Sequence, residues 1–308
     1  MTRCIDASMK GGAMSQRWVI FTDLDGTFLG VRDYDYTPLR PAVRALQRRR
    51  IPIVFCTSKT RAEVEELRED LGIRDPFIVE NGGAVYVPKG CFRFPLEGAV
   101  ARGAYVAIEQ GLSYRTLVKA LDTAEAETRC RIGRFGRLGP GEISRVTGLP
   151  RAKARLAKAR EFDEPFWFVT ESPSKQDAFL KELRRWPGLR VTRGNRFYHA
   201  KGVADKGRAV EILKAFYRRL WPRVRFAGLG DSLNDLPMLK SVDVPILIRG
   251  PDGGYDRSIS VALPKARRAA AAAPLGWATV LPIVLPGVRL RLTDGLRSGG
   301  SECHDETR

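Results

Sequence analysis

The sequence predicts an α/β protein, a doubly wound and mostly parallel sheet interrupted by an inserted α/β cap. Three observations predict it. Apolar, β-rich runs at 18–22, 51–56 and 225–229 each end in polar residues, as buried parallel strands do beside a ligand crevice. Helical spacing of apolar residues separates the runs, giving the crossovers that parallel strands require. Between Pro88 and Gly141 a series of prolines and glycines breaks this order, and parallel α/β order resumes only near residue 200.

The elements follow in turn. After the strand 18–22, Leu39, Val43 and Leu46 recur at helical spacing behind Pro38. The strand 51–56 leads to Thr60 and Glu63, a capping box for a helix whose stripe is Val64, Leu67 and Leu71 and whose stop is Gly72. A third strand starts at Phe77. Within the insertion, 166–169 reads as a strand, 174–186 as a helix, and 189–191 with 196–199 as a strand pair. A helix over 205–220, stopped by Pro222, precedes the strand 225–229, the helix 236–240 and the strand 244–248. The resulting division is a core of 15–87 and 200–290, a cap of 88–199, a disordered N-terminal extension of 1–14 and a disordered tail of 291–308.

Composition narrows the function. The chain has 308 residues and 44% hydrophobic content, and no apolar run approaches the roughly 18 residues of a membrane span. A soluble cytoplasmic protein is expected. The net charge of +18 favours anionic ligands, but the basic residues are scattered without an interleaved aromatic platform, so nucleic acid is an unlikely partner. Five cysteines without a CxxC pair and only two histidines point away from disulfides and zinc, toward a hard metal held by carboxylates.

The chemistry gathers at the strand ends. Asp23 and Asp25 end the first strand, and Asp231 and Asp235 follow the fourth. Carboxylates crowded in this way repel one another unless a cation intervenes, and Mg2+ resolves the conflict. Hydrolysis of a phosphate monoester calls for a metal, a nucleophile and a general acid. Asp23 is placed to attack, Asp25 to protonate the leaving oxygen and then activate water, and Asp231 to complete the metal site. Thr57 and Lys206 are placed to hold phosphate oxygens, since a cation beside a helix start opposes the dipole unless an anion binds there. Asp235 has two equal readings, as N-cap of the helix at Leu236 and as support for the metal. Cys56 reads as a small apolar filler.

These residues carry a resemblance. Asp23-Leu24-Asp25-Gly26-Thr27, the strand end at Thr57, Asp205-Lys206-Gly207 and the run Gly230 to Asp235 resemble the four motifs of the haloacid dehalogenase superfamily. The run Thr57 to Glu63, Glu80-Asn81-Gly82-Gly83-Ala84, Arg196 to His199 ahead of Asp205, and Arg249 to Gly253 are similar to the mannosyl-3-phosphoglycerate phosphatase family, over roughly residues 17–288. The resemblance implies a Rossmann-like phosphatase core with an α/β cap after the third strand. It implies release of phosphate from mannosyl- or glucosyl-3-phosphoglycerate, a small phosphorylated sugar-glycerate, to give a compatible solute. It makes Asp23 the nucleophile, Asp25 the acid/base, and Asp23, the Asp25 carbonyl and Asp231 the magnesium ligands. Lys59, Glu80, Asn81, Arg196 and His199 become candidates for substrate contact. The alternatives are a phosphatase or mutase for another sugar phosphate, and a basic protein that only binds phosphorylated ligands.

Overall fold

A computed structural model describes residues 16–193 and 196–287. The expected extension 1–14 and tail 291–308 lie outside the described residues. The chain opens with β1 (Trp18–Thr22), α1 (Arg40–Arg48), β2 (Ile53–Phe55) and α2 (Arg61–Leu71). α2 begins with the capping box read from the sequence, Thr60 accepting from the Glu63 amide and Glu63 returning to the Thr60 amide, and ends at Gly72 with φ +65°.

Next come β3 (Phe77–Val79), β4 (Ala84–Pro88), β5 (Val100–Arg102) and β6 (Tyr105–Glu109), an antiparallel sheet in the order β3-β4-β6-β5. A parallel bridge from Cys56 to Ile78 hangs this sheet on the end of β2. The junction at 87/88 falls at the end of β4, whose partner β6 lies beyond it in sequence.

A second antiparallel sheet follows, built from β7 (Ile132–Arg134), β8 (Asp163–Phe168), β9 (Leu189–Arg193) and β10 (Tyr198–Gly202) in the order β7-β8-β10-β9. Its intervening helices are α3 (Tyr114–Thr128), α4 (Pro140–Thr147), α5 (Arg151–Lys158) and α6 (Pro173–Arg184). The helix expected over 174–186 is α6, and the expected strand pair is β9 with β10.

The chain then re-enters the parallel sheet through α7 (Lys206–Leu220), β11 (Arg225–Gly230), α8 (Leu236–Lys240), β12 (Val244–Arg249) and β13 (Arg267–Ala272). The order is β13-β12-β11-β1-β2, all parallel. Alternation along β1 shows why it is doubly wound. Ile20 packs on one side with Leu46 of α1 and Leu67 of α2, while Phe21 packs on the other with Leu213 of α7 and Met238 of α8. Burial of each such side chain contributes about 2 kcal/mol. Both faces are covered, so β1 and β11 sit centrally and aim their carboxyl ends at one crevice. Among the described residues no helix is long and apolar enough to cross a membrane.

Candidate active site

The crevice is assembled where β1 and β11 run out. Asp23 donates its amide to the Leu229 carbonyl at 3.0 Å, which fixes the two strand ends side by side. Gly26 then turns the chain at φ +77°, and a Cβ there would stand 2.7 Å from Asp231 Oδ2. Only glycine allows that approach. Thr27 completes the junction by donating Oγ1 to Asp231 Oδ1 at 2.8 Å.

Asp23, Asp231 and Asp235 bring carboxylate oxygens within 4.8 Å of one another. Lys206, 1% exposed at the start of α7, donates Nζ to Asp23 Oδ1 and to Asp235 Oδ1, each at 2.6 Å. Burial, with Asp235 and Asp231 nearby, pushes the Asp23 carboxyl well above the ordinary range against the pull of Lys206. Burial and Asp235 push Asp231 up to about 6. Three carboxylates against one ammonium leave two negative charges when all are ionised. The donor set is all hard oxygen and the residual charge matches a divalent cation, so the site fits magnesium. Asp23, Asp231 and Asp235 are the side chains that would hold it.

Asp235 does not cap α8, the reading offered beside metal support. Although it precedes that helix, its side chain makes no bond to the helix's first turn. Its Oδ2 instead accepts from the Asp231 and Ser232 amides, 3.1 Å each, which shapes the turn after β11. The lysine that takes its other oxygen is 29 residues away, and this longer-range partner wins.

Asp25 points elsewhere. Its carboxylate stands outside the trio with Oδ1 3.0 Å from Lys59 Nζ, and Lys59 also lies 3.6 Å from Glu63. Burial works to lower the Lys59 pKa, but Asp25 and Glu63 outweigh it and hold it raised. Lys59 therefore meets the candidate acid/base directly. Thr57 is buried, its Oγ1 accepts the Lys59 amide at 3.2 Å, and its carbonyl accepts the Asn81 amide at 2.9 Å. Asn81 in turn accepts from Asn234 at 3.4 Å, joining the turn after β3 to the turn after β11.

The remaining candidates have partners within the protein. Glu80 is buried and accepts the Glu161 and Phe162 amides at 2.9 and 2.8 Å. His199 Nδ1 lies 3.0 Å from Asp163 Oδ1. Arg196 donates to the Thr147 carbonyl at 2.8 Å and to that of Val146, at the end of α4. Cys56 is buried, and burial pushes its thiol up, out of nucleophilic reach. Sequence reasoning did not single out Thr27, although it stands inside the first motif, nor Arg160. Arg160 donates to the Ser58 carbonyl at 2.9 Å and pairs with Asp163 at 3.7 Å. A lone arginine in a basic stretch gave no signal of this.

Residues 20–92 match a haloacid dehalogenase-like hydrolase family model. The chain is 44% identical over 259 residues to a glucosyl-3-phosphoglycerate/mannosyl-3-phosphoglycerate phosphatase of Methanococcoides burtonii, covering 84% of this chain and 94% of the relative. It is 41% identical over 230 residues to a mannosyl-3-phosphoglycerate phosphatase of Pyrococcus furiosus, covering 75% and 90%. In fold it is similar to a haloalkanoate dehalogenase superfamily phosphatase of Bacteroides thetaiotaomicron, with TM-score 0.60 at 17% identity over 90% of this chain and 98% of that one.

Proposed function

The chain belongs to the mannosyl-3-phosphoglycerate phosphatase family of haloacid dehalogenase-like hydrolases, and from that membership we propose that it releases phosphate from mannosyl- or glucosyl-3-phosphoglycerate through an aspartyl-phosphate on Asp23. It is a phosphoric monoester hydrolase. The observation that carries the mechanism is the trio of Asp23, Asp231 and Asp235, with Lys206 bridging Asp23 and Asp235 and Asp25 two residues beyond Asp23.

Magnesium, when bound to the trio, supplies the countercharge for the phosphoryl oxygens and positions them. Lys206 holds Asp23 through Oδ1 and so fixes the orientation of the attacking carboxylate. Asp23 forms a bond to phosphorus as the bond to the glycerate oxygen breaks, and Asp25 gives that oxygen its proton. Asp25 then takes a proton from water, whose oxygen attacks phosphorus, frees phosphate and restores the Asp23 carboxylate. Thr57 sits at the end of β2, beside the crevice, where its hydroxyl can steady a phosphoryl oxygen. Asn81 and Lys59, bonded to Thr57 and facing Asp25 respectively, are the candidates for substrate contact on the core, and Arg196 and His199 those on the cap.

Phosphate release from both glycosyl esters, with magnesium and with chelator, tests this in wild type beside Asp23→Asn. Magnesium-dependent release that falls about a thousandfold or more in the variant is expected. Full activity of Asp23→Asn would sink the covalent mechanism, and release from neither ester by wild type would remove the substrate.

A further inference from the structure

The β7-β8-β10-β9 sheet carries helices on one face. Phe166, Leu189 and Ala200 pack there against Leu121 of α3 and Phe179 of α6. Because side chains alternate along a strand, His199 and Lys201 of β10 lie on the opposite face. The register sets Lys201 between Asp163 of β8 and Arg190 of β9, directly opposite both.

This face is tied to the active site. Asp163 is engaged by His199 and by Arg160, and Arg160 reaches the carbonyl of Ser58, the residue after Thr57. β10 itself ends at Gly202, four residues before Lys206, and Lys201 is within electrostatic range of both Asp205 and Lys206.

Lys201 and Arg190 thus form a cross-strand pair of like charges, an arrangement that destabilises a sheet. Neither side chain makes a hydrogen bond or an ion pair within 4.0 Å among the described residues, and Asp163 already has Arg160 and the His199 ring as partners. Burial lowers the Lys201 pKa, Asp163 and Asp205 oppose that, and Lys206 adds to it. Asp163 offsets part of that repulsion on the Lys201 side, but the Arg190 guanidinium faces no anion of its own among the described residues. A substrate carboxylate would supply one. A glycoside of 3-phosphoglycerate keeps such a group free on the same three-carbon unit as its phosphate.

Resting on the function above, we propose that Lys201, with Arg190 across the strand, binds the glycerate carboxylate and selects phosphoglycerate esters over phosphate esters with an uncharged tail. The bonds are charge-assisted, ammonium and guanidinium donating to carboxylate oxygens.

The test is calorimetric titration of the full chain carrying Asp23→Asn, in magnesium, with 3-phosphoglycerate and with glycerol 3-phosphate. The two probes differ in carboxylate against hydroxymethyl. The parent should prefer 3-phosphoglycerate by about tenfold or more. Adding Lys201→Met should bring the ratio close to one, Arg190→Met should lower it less, and Lys201→Arg should largely keep it. A general loss of structure would weaken both probes together and leave their ratio in place. Equal affinities in the parent, no measurable 3-phosphoglycerate binding, or a ratio that survives Lys201→Met would overturn the proposal. The probes carry no sugar, so failure of wild type to hydrolyse the glycosyl esters is a separate result that removes only the substrate reading.

Discussion

Lys206 shows how much one side chain can hold together. Its ammonium bridges Asp23 and Asp235 across sequence separations of 183 and 29 residues, and no water-exposed surface remains to it. Lys206→Met keeps the apolar stem but leaves buried carboxylates without their countercharge. Loss of one partner from a buried ion pair costs about 3–5 kcal/mol. Urea unfolding in the presence of chelator should show a loss of that order, and phosphate release should fall about a hundredfold or more. Stability equal to wild type would mean that protonation of the trio replaces the lysine. Asp23, Asp231 and Lys206 were legible as candidate site residues because strand ends and a helix start mark them. Their pairings were not, since periodicity carries no information about which distant turn meets which. Asp235 illustrates this: its place before α8 left capping and metal support as equal readings, whereas the turn geometry after β11 gives its oxygens to two amides and a lysine.

Turns, more than helices and strands, set the geometry of this site at the scale of elements. The chain after β3 takes positive φ at Glu80, Asn81 and Gly82 in succession, 48°, 57° and 91°. A Cβ on Gly82 would stand 2.2 Å from the Asp205 carbonyl oxygen, so the turn is pressed against the first residues of α7. Gly82→Ala must therefore move Asp205 or the turn itself, and Lys206 follows. Strain of this kind costs about 1–3 kcal/mol. The expected outcome is a drop in turnover larger than tenfold with the fold retained, measured by phosphate release beside far-ultraviolet circular dichroism. Unchanged turnover would show that α7 absorbs the shift without moving its lysine. The helices α2 and α7 were legible from a capping box, an apolar stripe and their stops, and β1 from its apolar run. The β3-β4-β6-β5 sheet was not, because Pro88, Gly90, Pro95, Gly98 and Gly103 interrupt the stretch between β4 and its partner β6. Alternation cannot be followed through such a stretch.

Across the whole molecule, the parallel sheet and the β7-β8-β10-β9 sheet meet along a polar seam, in which the Glu80 carboxylate is buried. It accepts the Glu161 and Phe162 amides, while Glu161 receives Arg61 and Tyr86, and Thr60 donates to the Leu156 carbonyl. Burial pushes the Glu80 carboxyl up to about 7, with Arg160 and the two amides pulling the other way. A raised carboxyl holds its proton longer in the folded state than in the unfolded chain. Its contribution to stability is then fully present below the unfolded value of about 4.3 and is lost as pH climbs through about 7. Glu80→Gln matches the protonated acid in shape and hydrogen bonding, so it isolates the charge. Relative to wild type, the variant should gain about 2–3 kcal/mol between pH 5 and pH 8, read from urea unfolding at both pH values in saturating magnesium. The comparison cancels the titration of groups away from Glu80, such as Asp75, whose carboxyl burial lifts to about 6. A difference that stays flat with pH would place the charge of Glu80 fully in balance with Arg160 and the two amides. The seam between the two sheets would then be indifferent to pH.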